Sequence, residues 1–197
     1  MQKLDPNKRS EILKAAERLF AAKPFHEVKL DEVAAKAHIG KGTIYIYFKS
    51  KEDLYVSLIR DGMSSLIVRL QEQLGRKRRT SEEELRLIVA GLVQFAAARP
   101  NMYHLLRTVL PKPCEGQMSL LRRQLVALIR DVIRRGIARR EMQDPQPELT
   151  GQFILASVRG GMLFGPEKLT ADELIEHTMK IFGSALKRAA CHKEKHS

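Results

Sequence analysis

Apolar residues recur along most of this chain at intervals of three and four. Ile12, Ala16, Leu19 and Phe20 form one stripe, Leu85, Ile88, Val89, Leu92 and Ala96 a second, and Leu174, Thr178, Ile181, Ala185 and Ala189 a third. This is the period of helix faces turned to a core. Sustained two-residue alternation is absent, and only residues 25–30 suggest a briefly extended passage. The prolines at 6, 24, 100, 111, 113, 145, 147 and 166 all fall between the periodic segments, as expected where a proline inside a helix costs about 3 kcal/mol. Pro100, Pro145 and Pro147 suit first-turn positions. Thr80-Ser81-Glu82-Glu83 and Thr170-Ala171-Asp172-Glu173 fit the capping box, and Ser50-Lys51-Glu52-Asp53 fits it with Asp for the usual Glu. The pattern predicts an all-α protein of about nine helices, at 7–22, 30–37, 41–47, 51–74, 81–98, 101–110, 116–140, 147–164 and 171–190.

Composition narrows the class. A chain of 197 residues with 44% hydrophobic positions can bury a core, which excludes wholesale disorder. No uncharged run approaches the roughly 18 residues of a membrane span, and the N-terminus lacks an apolar signal segment. Two cysteines, Cys114 and Cys191, make no disulfide framework, so a reduced, cytoplasmic protein is expected. Lys and Arg number 35 against 23 Asp and Glu, a net charge of +12. That excess implies an anionic partner, nucleic acid before a membrane surface. It is unevenly spread: +4 over residues 1–60, +3 over 61–80, +6 over 81–140 and −1 over 141–197.

Residues 30–54, LDEVAAKAHIGKGTIYIYFKSKEDL, carry the chemistry. A short helix, the turn His38-Ile39-Gly40 and a second short helix make a helix-turn-helix arrangement, whose second helix enters the major groove. Val33, Ala34, Ala37, Ile39 and Ile44 supply a small core between the two helices. Gly40 and Gly42 let backbone approach phosphate closely. Lys41 and Lys51 suit phosphate contacts that position without specifying. Thr43, Tyr45 and Tyr47 alternate, so only some of them face a groove at once.

Residues 9–60 resemble the DNA-binding head of TetR-type transcriptional regulators (the TetR/AcrR family), and K-G-T-I-Y-x-Y-F-K-S-K-E-D-L is close to that family's signature. The resemblance covers about a quarter of the chain. It implies DNA contacts from Gly40, Lys41, Gly42, Thr43, Tyr45, Tyr47 and Lys51, and an N-terminal three-helix head over residues 1–50. Helix 51–74, about 36 Å long, would link the head to an effector-binding and dimerisation domain over 75–197. Three positions depart from the family pattern. Lys29 replaces a capping Ser or Thr, giving up about 1 kcal/mol of cap and adding a cation for phosphate. Gly40 replaces a Ser as N-cap, and His38 replaces a turn Gly, which His tolerates.

The resemblance further implies a homodimer formed by the last two helices. Ser157, Gly161 and Gly165 make a strip of small residues there, with Ile181 and Ala185 on the final helix. An unidentified small-molecule effector is expected in an apolar pocket with a few polar groups, drawn from Phe95, Met102, Tyr103, His104, Arg107, Met118, Phe153 and Met162. Gly62, inside the long helix, offers a point of bending or is a neutral lapse. Arg123, Arg130 and Arg134 read as a solvent stripe opposite Leu121, Leu125, Leu128, Ile129 and Val132. Glu173 and His177 read as a surface pair, and Cys191, His192 and His196 as a basic tail.

No HExxH, zinc-spaced set, phosphate-binding glycine loop or paired nucleophile and base occurs. No enzyme activity, cofactor or metal is expected. A non-specific basic protein of nucleic acid or membrane would explain the charge but not the capped, correctly spaced helix-turn-helix. The reading is a sequence-specific regulator of transcription, a repressor on a palindromic double-stranded operator, with no membrane partner.

Overall fold

A computed structural model describes residues 5–76, 78–99 and 117–187. Eight α-helices lie among them: α1 (Pro6–Ala22), α2 (Leu30–Lys36), α3 (Lys41–Tyr47), α4 (Lys51–Arg76), α5 (Ser81–Ala97), α6 (Gln117–Ala138), α7 (Pro147–Phe164) and α8 (Ala171–Leu186). The helix expected at 101–110 lies outside the described residues. No strand forms among the described residues; one antiparallel bridge joins Met142 to Lys187. Residues 25–30 are not simply extended. Phe25–Glu27 close a 3-10 turn, with Val28 and Lys29 extended behind it. No described helix is long and apolar enough to cross a membrane.

The helix ends follow from local chemistry. Asp5 caps α1 by accepting the Asn7 N–H at 2.9 Å, ahead of Pro6, where a missing N–H costs nothing. The Thr170 hydroxyl accepts the Glu173 N–H at 3.2 Å and Glu173 accepts the Thr170 N–H at 2.8 Å. The Thr170 N–H, and its hydroxyl at 2.9 Å, donate to the Glu173 carboxylate and hold it below its usual range. Thr80 and Glu83 repeat the box with the same two distances. Ser50 accepts the Asp53 N–H at 3.1 Å, but the Asp53 carboxylate takes the N–H of Lys49 at 2.9 Å. The two non-glycine residues at positive φ, His38 at 55° and Arg140 at 61°, close helices in the same way. The N–H of Ile39 reaches Ala34 O at 3.0 Å, and that of Glu141 reaches Gly136 O at 2.8 Å; both are Schellman closures.

The described residues fall into two compact units, divided at Leu66/Ile67, Gln94/Phe95 and Leu121/Arg122. In the first, Ile12, Ala16, Val28, Val33, Ile44, Phe48, Leu54 and Ile59 are buried. Phe20, Phe25 and Tyr55 cluster around it, with ring centroids 4.8 to 5.5 Å apart. Gly62 serves packing: a Cβ there would stand 3.0 Å from the Phe95 ring. It is a seat for Phe95, where the sequence suggested a bending point.

In the second unit, Leu85, Ile88, Val89, Ile129, Ile133, Ile154 and Val158 form the core. A buried carboxylate, Glu84, pairs with Arg135 at 2.6 Å, and Arg130 bridges Asp131 at 2.8 Å and Glu148 at 3.3 Å. The arginines of α6 are therefore partly paired, whereas the sequence suggested a plain solvent stripe for Arg130.

Candidate nucleic-acid interface

The interface is built on α2 and α3. Lys29 caps α2 without a side-chain bond, and Asp31 and Glu32 in the first turn complement the helix dipole. Val33, Ala34 and Ala37 are buried and hold α2 against α1 and α3. His38, in the left-handed region, reverses the chain, and Gly40 opens α3 at φ −66° and ψ 147°. Ile44 and Phe48 then point inward, 0% and 1% exposed.

The expected DNA residues divide by surroundings. Lys29, Gly40, Lys41, Gly42 and Tyr45 are exposed, while Thr43, Tyr47 and Lys51 are half-buried. The Tyr47 hydroxyl accepts the Asp5 N–H at 3.2 Å, which ties α3 to the start of α1. Tyr45, 50% exposed, is the tyrosine that faces outward. Lys51 donates to Phe25 O at 2.9 Å and His26 O at 3.2 Å and stands 4.5 Å over the Phe25 ring. Its ammonium thus clamps the 3-10 turn to the first turn of α4. Lys41 pairs with Asp31 at 2.7 Å, which holds its ammonium above the ordinary lysine range. Both partners are more than half exposed, so a phosphate can take Asp31's place at little cost.

Three further exposed residues lie on α2, on α3 and just beyond α3 without having been expected: Lys36, Ile46 and Lys49. Ile46 was legible, since two residues turn a helix by 200° and put it opposite the buried Ile44.

The remaining expected sites are placed differently. Phe95 is buried core, with the Arg99 guanidinium 4.1 Å over its ring and Arg99 paired to Glu17 at 2.6 Å. Met118 and Met162 are half-buried. Phe153 is 57% exposed, so it lines no interior pocket; it lies on a face of α7 that the buried residues leave free. Met102, Tyr103, His104 and Arg107 lie outside the described residues, as do Cys114, Cys191, His192 and His196. Among the described residues no cluster of metal-ligating side chains occurs.

The small-residue strip of α7 also needs correction. A Cβ on Gly161 would overlap the Leu174 side chain of α8, and one on Gly165 would overlap Gly161 O and Leu169. Ser157 is half-buried and its hydroxyl bonds back to Ile154 O at 2.9 Å. Gly161 and Gly165 therefore serve close packing within the chain. The side of α7 left uncovered carries Leu149, Phe153, Ala156 and Phe164, together with Gly160, whose added Cβ would meet nothing within 4 Å. On α8, Ile181 and Ala185 are exposed as well.

Comparison with known proteins agrees with this geometry. Residues 12–58 match the family model described as bacterial regulatory proteins, tetR family. A fatty acid metabolism regulator protein of Bacillus subtilis is 32% identical over 92 residues, 47% of each chain, so the alignment spans about half of that relative. Among solved structures, FadR of Bacillus subtilis in complex with stearoyl-CoA superposes with a TM-score of 0.68 at 21% identity, over 90% of this chain and 98% of that one. A regulator of the TetR/AcrR family from Thermobifida fusca gives 0.71 at 20% identity, over 92% and 100%. At these identities the superpositions speak for the fold, and the family rests on the head. With α2, the His38 turn and α3 in place, residues 12–58 carry a helix-turn-helix head similar to that of the tetR family.

Proposed function

We propose that the chain is a sequence-specific DNA-binding regulator of transcription, a repressor that leaves a palindromic operator when a small-molecule effector binds. The observation that carries this reading is the outward face of α3, where Lys41, Gly42 and Tyr45 stand exposed on a helix pinned by Ile44 and Phe48. Phosphate contacts from lysines position such a helix, and side chains reaching base edges specify the site. The cytoplasm, where the DNA is, is its place of action.

The division proposed is a head over residues 1–50, a linking helix and a domain from residue 75 for effector and dimer. The second copy sits on the uncovered face of α7, where Leu149, Phe153, Ala156 and Gly160 lie within about 60° of one another around the helix axis, with Ile181 and Ala185 of α8. Residues 141–197, net −1, oppose self-association least. A dimer sets two recognition helices about one DNA turn apart, roughly 34–36 Å. The α4 helix runs unbroken for 26 residues from the head; an effector that favours one position of it shifts the population fit for DNA. FadR of Bacillus subtilis holds stearoyl-CoA, which makes long-chain acyl-CoA the first effector probe.

The test is selection of bound DNA from a random pool, followed by Tyr45→Ala with Lys41→Ala on the recovered operator. Both side chains are exposed, so the double variant melts within a few degrees of wild type while operator affinity falls by a factor on the order of 10 to 100. Unchanged affinity overturns the assignment of the head.

A further inference from the structure

Ile46 is 63% exposed, on a helix whose other isoleucine is fully buried. A helical side chain leans back over the turn that precedes its own Cα, which here brings Ile46 toward Gly42, four residues earlier on the same row. A Cβ at Gly42 would find nothing within 4 Å. The Ile46 methyl groups are therefore uncovered toward the N-terminal half of α3, the part of a recognition helix that meets base edges. A single exposed isoleucine on an ordinary surface needs no explanation. This one lies between Lys41 and Lys49 in the chain, both exposed, and lysines at the two ends of a recognition helix draw DNA phosphates.

The geometry points to Ile46 as a thymine reader, packing against the C5-methyl group of a thymine in each operator half-site. Thymine alone presents an apolar group in the major groove. Isoleucine offers nothing to the amino or carbonyl group of another base, which would lose its water without replacement. The inference rests on the DNA-binding reading of the head.

The experiment uses the full-length chain and the operator recovered from the random pool. Each thymine of a half-site is replaced in turn by deoxyuridine, which removes the methyl group and keeps every hydrogen-bonding atom. For wild type, one or two positions lose affinity by about fourfold, the value of one buried methyl group. For Ile46→Ala, the same replacements change affinity by less than about 1.5-fold, the methyl having lost its partner. Ile46→Val, which keeps both branches at Cβ, keeps the sensitivity. If no thymine is sensitive in wild type, or if Ile46→Ala is equally sensitive, the assignment to Ile46 is overturned and the DNA-binding reading stands. A pool that yields no operator overturns both.

Discussion

Tyr45 and Tyr55 show how position alone assigns roles to identical side chains. Tyr45 is half exposed on the outward face of α3, whereas Tyr55 is 3% exposed beneath Phe20 and Phe25. Burial pushes the Tyr55 phenol up to about 12, with Arg99 pulling the other way. A phenol at about 10 in the unfolded chain and about 12 in the fold binds its proton more tightly when folded. Its contribution to stability is therefore complete below pH 10 and lost as pH rises from 10 toward 12. Urea unfolding across that window should show a decline of up to about 2 to 3 kcal/mol, and Tyr55→Phe should flatten it. A wild-type curve as flat as the variant's contradicts the buried placement. Tyr47 differs again, its hydroxyl holding the Asp5 N–H at 3.2 Å. That partner lies 42 residues away in the chain, so no local pattern could separate Tyr47 from Tyr45 as a reader of bases. The partners of Lys51 were hidden for the same reason, since the carbonyls of Phe25 and His26 meet it only in three dimensions.

At the scale of elements, the described helices were legible to within a few residues, because capping boxes at Thr80 and Thr170 and prolines at their ends are local signals. The helix-turn-helix was legible too, since His38 and Gly40 stand at the turn that its geometry demands. Which face of α7 meets which neighbour was not. Small residues at 157, 161 and 165 look alike whether the approaching backbone belongs to the same chain or to another, and the Leu174 side chain decides it for Gly161. Two variants separate the faces. Gly161→Phe forces a ring into Leu174 and should cost about 3 kcal/mol or more of stability. Phe153→Glu puts a charge on the uncovered face and should turn a dimer into a folded monomer by light scattering. A Phe153→Glu protein that stays wholly dimeric contradicts the face assigned to the second copy.

For the whole molecule, charge and recognition separate. Of the net +12, residues 1–60 carry only +4, so composition by itself points away from the segment that bears the readable face. The larger share over residues 61–140 suits long-range steering toward DNA, which is non-specific and weakens with salt. On the proposed reading, specificity comes from a few side chains on α3 whose own charge is small. The most direct measurement is the ratio of affinities for the selected operator and for a scrambled duplex of the same composition, at roughly 0.15 M salt. A ratio of about a thousand or more is predicted, falling by about tenfold in Tyr45→Ala with little change on scrambled DNA, whereas Lys41→Ala weakens both duplexes alike. A wild-type ratio near one would mean that the charge binds and the head does not read.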